Sequence, residues 1–508
     1  MSLLDRPWLS PCFSRAVLPE RRSQANRARR FVVWALASNV AWKLTAGRTG
    51  GVAKWCAKRI WKSTPMDSGS QRSFDVAVIG AGPAGIAAAV TAAESGASVA
   101  LLDDNPAPGG QIWRGGASGA HHPEATHWLE RLSRSSVTLM AGTRVFYAHT
   151  GSLEAESDDS LCQILYGKLI LATGARELFL PFPGWTLPNV VGAGGLQAMV
   201  KSGLPVTGKR VVIAGTGPLL LAVAAYLSES GASVLCICEQ SSSMHLRSFT
   251  LAMAAFPRKL VEAAQLRFRC RRASYLTSAW PVAAIGQDRL QAVRISDNGR
   301  LREIECDYLA CGFHLVPNLE LARALQCSVK DGFVEVNELK ETSQPNIYCA
   351  GEPTGIGGME LSIVEGQIAG YAAAGRRISA TQLFTVRTRY TRVVGAMKKA
   401  FALRSELATL AKLDTFLCRC EDVSIDEVRK HASWRAAKLH SRCGMGPCQG
   451  RVCGAAAEFL FGWNMDSLRP PIFPVRCSSL AAMSSPENPV LPKNDTLSLI
   501  CNFQSKTA

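Results

Sequence analysis

The stretch from Phe74 to Asp103 constrains the fold more than any other part of the chain. A short apolar run, Phe74-Asp75-Val76-Ala77-Val78-Ile79, ends at Gly80-Ala81-Gly82-Pro83-Ala84-Gly85. An alanine-rich helical stretch follows to Ser95, Gly96 stops it, and Ser98 to Leu102 forms a second apolar strand ending at Asp103. Strand, glycine turn, helix, strand and acid, in that order, make up the dinucleotide-binding fingerprint. Gly80 permits the tight turn, Gly82 lets the backbone approach a pyrophosphate, and Gly85 lets the helix pack on the strand. The helix that starts at Pro83 offers the unpaired N–H groups of the residues after it, beginning with Ala84, and a partial positive charge to phosphates. Asp103 is placed to accept hydrogen bonds from ribose hydroxyls. A glycine turn in an ordinary α/β unit would explain neither the acid nor the flanking strands.

An echo of this unit lies about 135 residues on, as expected of a second dinucleotide-binding fold. Lys209-Arg210-Val211-Val212-Ile213-Ala214 leads into Gly215-Thr216-Gly217-Pro218-Leu219-Leu220, then a helix to Ser230, Gly231, and the strand Ser233 to Cys238 ending at Glu239. Gly215, Gly217 and Glu239 repeat the roles of Gly80, Gly82 and Asp103. The third glycine is replaced by Leu220, whose bulk should push the helix off the strand or alter the turn. The fold is expected to survive. Either NAD(P) or another adenine nucleotide binds here, or the unit is a structural relic.

Three further segments decide between FAD and NAD at the first site. Pro108-Gly109-Gly110-Gln111 follows Asp103 closely; Leu169-Ile170-Leu171-Ala172-Thr173-Gly174 is an apolar strand ending in small residues; Asn346-Ile347-Tyr348-Cys349-Ala350-Gly351-Glu352 comes much later. Together they resemble the motifs of two-dinucleotide-domain flavoproteins of the glutathione-reductase type. That resemblance implies FAD, with Glu352 standing where a Gly-Asp pair usually places a carboxylate on the ribityl chain.

Of 17 cysteines, most are scattered singly in apolar stretches and read as small buried hydrophobes. Five are clustered: Cys418-Arg419-Cys420, then Cys443-Gly444-Met445-Gly446-Pro447-Cys448-Gln449-Gly450-Arg451-Val452-Cys453. Between them, Ser424-Ile425-Asp426-Glu427 reads as a capping box opening a short helix, and a second helix is expected after Cys453. Four thiolates suit an Fe–S cluster or tetrahedral zinc. The spacing is not that of a zinc finger, and a redox cluster is the better companion for a flavin. We assign Cys418, Cys420, Cys448 and Cys453 as ligands, with Cys443 as a neighbour. No Cys-x-x-Cys lies beside the flavin motifs, which disfavours disulfide reductase chemistry.

Charge adds little to this. Residues 1–65 hold 13 Lys or Arg against Asp5 and Glu20, which supplies +11 of the formal +17. The rest of the chain shows no long basic run, so nucleic-acid binding is not expected. The basic leader reads as disordered or as an extension upstream of a start at Met66; a targeting segment around Arg29-Arg30 and a membrane-surface anchor are the alternatives.

A wider resemblance rests on eight runs. Pro108-Gly109-Gly110-Gln111-Ile112-Trp113-Arg114, Pro183-Gly184-Trp185-Thr186-Leu187-Pro188-Asn189-Val190, Ala193-Gly194-Gly195-Leu196-Gln197, Gly217-Pro218-Leu219-Leu220-Leu221-Ala222, Gly355-Ile356-Gly357-Gly358, Glu365-Gly366-Gln367-Ile368-Ala369-Gly370, the run Gly444 to Gly450 and Arg469-Pro470-Pro471 are similar to those of one family. Its members are the A-type subunits of opine oxidase and the B-type subunits of hydrogen cyanide synthase. The likeness covers about Phe74 to Val475. It implies a C-terminal [2Fe–2S] domain similar to bacterioferritin-associated ferredoxin, and it accounts for Leu220. It also implies a partner: an FAD-containing substrate-oxidising subunit, related to glycine oxidase. A small ferredoxin-like subunit is a further candidate.

The expected architecture is α/β: an FAD domain at 74–205 and 305–380, a second Rossmann-like domain at 206–304, a small helical cluster domain at 412–465, a leader at 1–70 and a tail at 476–508. The expected activity is electron transfer from the oxidising partner, in the cytoplasm or at the inner face of a membrane that holds the acceptor. The rivals are an NAD(P)H-dependent flavin reductase and a non-catalytic assembly subunit. No His, Lys or carboxylate stands out as a substrate base.

Overall fold

A computed structural model of the chain describes residues 70–113, 123–157, 160–465 and 468–483. The basic leader, Arg114 and most of the tail lie outside the described residues. The tail begins with a helix, Cys477–Met483.

Two sheets carry the fold, the first mixed, with a parallel half and an antiparallel half, and the second wholly parallel. The first has strands β1 (Ser70–Ile79), β2 (Val99–Asp103), β3 (Thr138–Ala141), β4 (Arg144–His149), β5 (Ser152–Glu156) and β6 (Leu161–Leu171), in the order β3-β2-β1-β6-β5-β4. β6 is long enough to serve two neighbours on one side. Its first half pairs antiparallel with β5, and Leu169–Leu171 pairs parallel with the late strand Ile347–Cys349. All five residues of β2 are buried, as expected of a strand covered on both faces. The helix Pro83–Glu94 is buried from Ala84 to Ala92, and the helix Gly358–Ala373 presses on it. Glycine makes that approach achievable: a Cβ at Gly366 would run into the carbonyl of Ala84, and one at Gly370 would stand 2.5 Å from that of Ala88.

The second sheet is parallel throughout, in the spatial order Ser274–Thr277, Ser233–Glu239, Arg210–Gly215, Tyr308–Gly312, Val190–Gly192. It therefore draws on strands either side of the expected 206–304 span. A three-stranded antiparallel meander, Ala279–Ile285, Ala292–Asp297 and Arg300–Glu305, is inserted before Tyr308–Gly312. After the helix Phe384–Ala400 comes the cysteine-bearing region: a short hairpin (Phe416–Cys418, Val423–Ser424) and three short helices, Ile425–Arg429, Trp434–Ser441 and Cys453–Phe461. Ser424 and Glu427 form the capping box reciprocally. Among the described residues no helix is long and apolar enough to cross a membrane.

Candidate cofactor sites

The topology of the first sheet brings four distant segments to one edge. β1, β2, β6 and Ile347–Cys349 run parallel, so their carboxyl ends share an edge, where open α/β sheets take their ligands. Gly80 N donates to the Leu102 carbonyl at 2.8 Å, Ala172 N to Ile79 at 2.9 Å and Ala350 N to Leu171 at 3.0 Å. These bonds lock the glycine turn, Asp103, Ala172-Thr173-Gly174 and Gly351-Glu352 against one another. Gly109 N donates to the Ala81 carbonyl at 2.7 Å, which lays Gly110 on Gly82. Gln111 is exposed beside this turn.

The turn needs its glycines. Gly80 has φ +103, and a Cβ there would meet the Ala172 carbonyl; a Cβ on Gly85 would enter the Gly80 carbonyl. At Gly82 only the Gly110 Cα stands within reach among the described residues, at 4.0 Å. Asp103 accepts from Ala81 N and from the backbone and side chain of Asn105. Burial, followed by the nearby Asp104 charge, pushes its carboxyl up to about 6.

Glu352 supplies the test of fit for a flavin. Its Oε1 accepts from Gly358 N at 3.2 Å, while its Oε2 is shut off from solvent with no partner among the described residues. Burial pushes this carboxyl up to about 7, and Glu365 adds to the rise. An orphaned buried acceptor costs free energy unless a donor arrives. A polyhydroxylated ribityl chain offers such donors, so the residues present fit FAD.

Beneath Glu352 lies a buried network that sequence reasoning missed. Glu365 accepts from Gly351 N at 3.1 Å and from the Thr354 hydroxyl at 2.9 Å, and its other oxygen pairs with Lys340. Lys340 is only 1 % exposed. Glu365 opens one of the runs that carry the family resemblance, which was its only signal; nothing near Lys340 marks it in the sequence.

At the second unit, Leu220 is fully buried rather than pushing the helix away. The room comes from the neighbouring strand: Gly312 lies beside Leu220, where the first unit has Ala172 beside Gly85. Large and small have changed places across the contact. Glu239 is fully buried and accepts from the Thr216 hydroxyl (2.7 Å), Gly217 N (2.8 Å) and Ser241 N (3.0 Å). Burial raises its carboxyl above the ordinary value.

All five clustered cysteines converge. The sulfurs of Cys418, Cys443 and Cys453 lie within 4.8 Å of one another. Cys420 and Cys448 lie near enough to this trio to perturb its thiols, and one another's, electrostatically. Cys420, Cys443 and Cys453 together hold the Cys418 thiol well below its ordinary value, while Cys418 and Cys448 push Cys420 up. Cys443 is thus inside the sulfur group, and Cys420 is its most exposed member. The Trp434 ring fills the space over Gly444 and Gly450 and shapes the loop. Soft donors converging in a protected pocket fit an Fe–S cluster or zinc.

Polar contacts dock the cysteine region on the sheets. Trp185 Nε1 donates to the Phe416 carbonyl at 2.7 Å. Thr173 exchanges two hydrogen bonds with Asn318, at 2.7 and 2.8 Å. Asn318 and Glu320 hold Arg176 at 2.7 and 3.0 Å, and Arg176 donates to the Arg451 carbonyl at 3.0 Å. One polar network therefore runs from the first nucleotide edge to the loop between Cys448 and Cys453.

Two sheets, each with a glycine turn at the end of its parallel strands, define a two-dinucleotide-domain oxidoreductase, and the family model described as pyridine nucleotide-disulphide oxidoreductase matches residues 74–376. Within that class, the chain belongs to the family of the A-type opine oxidase subunits and the HcnB subunits of hydrogen cyanide synthase. It is 30 % identical to the A-type opine oxidase subunit of Rhizobium meliloti strain 1021 over 459 residues, covering 81 % of this chain and 99 % of that one. It is 30 % identical to the hydrogen cyanide synthase subunit HcnB of Pseudomonas protegens over 423 residues, covering 75 % and 90 %. The crystal structure of L-proline dehydrogenase from P. horikoshii shares the fold, with a TM-score of 0.60 at 19 % identity and coverage of 83 % and 82 %.

Proposed function

We propose that this chain is the electron-transferring subunit of a heteromeric dehydrogenase or oxidase acting on an amine, opine or amino acid, and that it carries FAD and a [2Fe–2S] cluster. The relatives are named as subunits, which supports a partner in the form of a substrate-oxidising FAD subunit. When bound, FAD exchanges one or two electrons and the cluster exchanges one.

Gly80, Gly82, Pro83, Ala84 and Gly85 would present the turn and helix start to the pyrophosphate. Asp103 would take the adenosine ribose, Gly110 and Gln111 would border the same turn, and Ala172, Thr173 and Gly174 would close the edge. Gly351 and Glu352 would hold the ribityl chain. Cys418, Cys420, Cys448 and Cys453 would hold the irons, and glycine amides in the loop would tune them.

The observation that carries this reading is the network from Thr173 through Asn318 and Arg176 to the Arg451 carbonyl. It ties the flavin edge to the cluster loop and keeps the two at a fixed relation. The test is the anaerobic visible spectrum of the chain purified with its oxidising partner, before and after proline, glycine, sarcosine or an opine. Bleaching of flavin and cluster bands by one of these is expected. Colourless protein, or zinc in place of iron, would refute the reading.

A further inference from the structure

We infer that the second glycine turn is filled by this chain's own residues 401–404 in place of a dinucleotide, and that Phe401 and Gln240 thereby exclude NADH and NADPH as electron donors. The inference deepens the reading above, in which electrons come from a partner subunit, and rests on it for that direction of flow.

The two units also differ in what stands over their second glycines. Gly82 and Gly217 occupy the same place, where the backbone must approach a pyrophosphate. A Cβ on Gly82 would find only the Gly110 Cα, at 4.0 Å. A Cβ on Gly217 would find the Phe401 ring at the same distance. That ring is 7 % exposed and sits edge-on to Phe249 with centroids 5.1 Å apart. An aromatic side chain thus stands where the first unit has only the backbone of a glycine.

The residue after the acid differs in the same sense. At the first unit it is Asp104, partly exposed, with contacts to Asn105 and Arg144. At the second it is Gln240, fully buried. Its Nε2 donates to the Ala402 carbonyl at 3.0 Å and to the Thr216 hydroxyl at 3.1 Å, and its Oε1 accepts from Arg404 N at 3.2 Å. Both ends of one amide therefore grip the linker beside Glu239, where an adenosine would lie. Glu239 itself has engaged both oxygens within the protein. Arg404 is anchored further by Ser278 at 3.5 Å and by the Trp280 face at 5.1 Å. A dinucleotide would have to displace an aromatic plug and break a matched pair of hydrogen bonds before meeting the turn.

The closure also serves the protein's build. Residues 401–404 connect the helix Phe384–Ala400 to the cysteine region. Seating them in the second turn fixes where that region begins.

The experiment uses the full chain as purified. Hydrogen exchange is followed at residues 215–220 and 399–405 with and without NADH or NADPH at about 1 mM, far above a typical site's needs. Exchange at both segments is expected to be unchanged. In parallel, Phe401→Ala/Gln240→Ala protein whose circular dichroism matches wild type is titrated with NADH by nicotinamide fluorescence, and should bind at least about tenfold more tightly than wild type. Protection of 215–220 in wild-type protein, or a folded double variant that gains nothing, would overturn the inference. If the double variant does not fold, the wild-type exchange result decides. Loss of FAD or iron would sink the functional reading and leave this result standing.

Discussion

Lys340 and Glu365 form an ion pair sealed from solvent, with side-chain exposures of 1 % and 7 %, beneath the Gly351-Glu352 turn. Burial lowers the Lys340 ammonium from its ordinary value, and the Glu365 charge works against that fall. Glu365 is the acceptor for Gly351 N, so the pair also sets where Glu352 starts. Removing one partner of a buried pair strands the other, at a cost of about 3–5 kcal/mol. Lys340→Met leaves Glu365 with Arg387, 3.6 Å away, as its remaining counter-charge, so it is expected to lose stability in urea unfolding by less than that figure and to release flavin more readily. Glu365→Gln should keep an acceptor for Gly351 and still lose stability, because Lys340 is left unpaired. Equal unfolding midpoints for wild type and Lys340→Met would refute this account.

Glu352 predicts a pH dependence of defined sign. Its carboxyl is pushed from an ordinary 4.5 up to about 7 by burial. The native state therefore holds a proton that the unfolded chain has already released, and stability falls as pH rises across that window. Flavin-free protein should melt at progressively lower temperature from about pH 4.5 to about pH 7. In Glu352→Gln protein the slope should shrink without vanishing, since Asp103, pushed up to about 6, acts with the same sign. Parallel melting curves for the two proteins would remove Glu352 as the cause.

The first glycine turn, Asp103 and the cysteine cluster were legible because each is a local pattern in which neighbours in sequence share one task. The capping box at Ser424 and Glu427 was legible for the same reason. What escaped depends on residues brought together from far apart. Phe401 reads as an ordinary apolar residue at the end of a helix, and only the tertiary fold carries it to Gly217. Gln240 looks like a polar residue after a strand until its amide is seen bonded to Ala402 and Arg404. Leu220 announced a departure from the fingerprint, but its compensation lies at Gly312, 92 positions on. The three-residue strand Val190–Gly192 is too short to show a period, so its place in the second sheet could not be read. Cys443 falls outside the paired spacing, yet the loop folds its sulfur to within 4.8 Å of those of Cys418 and Cys453.

That placement makes serine scanning of the five cysteines informative. With Cys418, Cys420, Cys448 and Cys453 as ligands, changing any one to serine should sharply reduce an iron content of about two per chain. Cys443→Ser should retain the iron and shift the visible spectrum, because a neighbouring sulfhydryl alters the charge around the cluster. Iron lost from Cys443→Ser but kept in Cys420→Ser would move the fourth ligand position to Cys443.

A buried acid sits at the joint between the flavin edge and the cluster loop. Glu320 is 8 % exposed, and its Oε1 lies 3.0 Å from Arg176 Nη1 and 3.4 Å from Arg451 Nε. Burial alone would raise its carboxyl, but the two guanidiniums more than offset this and hold it below the ordinary value. A carboxyl lowered on folding stabilises the protein at pH above its unfolded value of about 4.5, and that contribution is lost as pH falls through the folded value. Glu320→Gln would leave two partly buried arginines facing each other without a counter-charge, costing about 3–5 kcal/mol at neutral pH. Amide exchange at residues 448–453 should therefore speed up in Glu320→Gln at pH 7, after correction for the intrinsic pH dependence of exchange. The wild type should approach the variant only in acid. If exchange in this loop is the same in both proteins at pH 7, the arginines and Glu320 do not hold the cluster loop to the sheet.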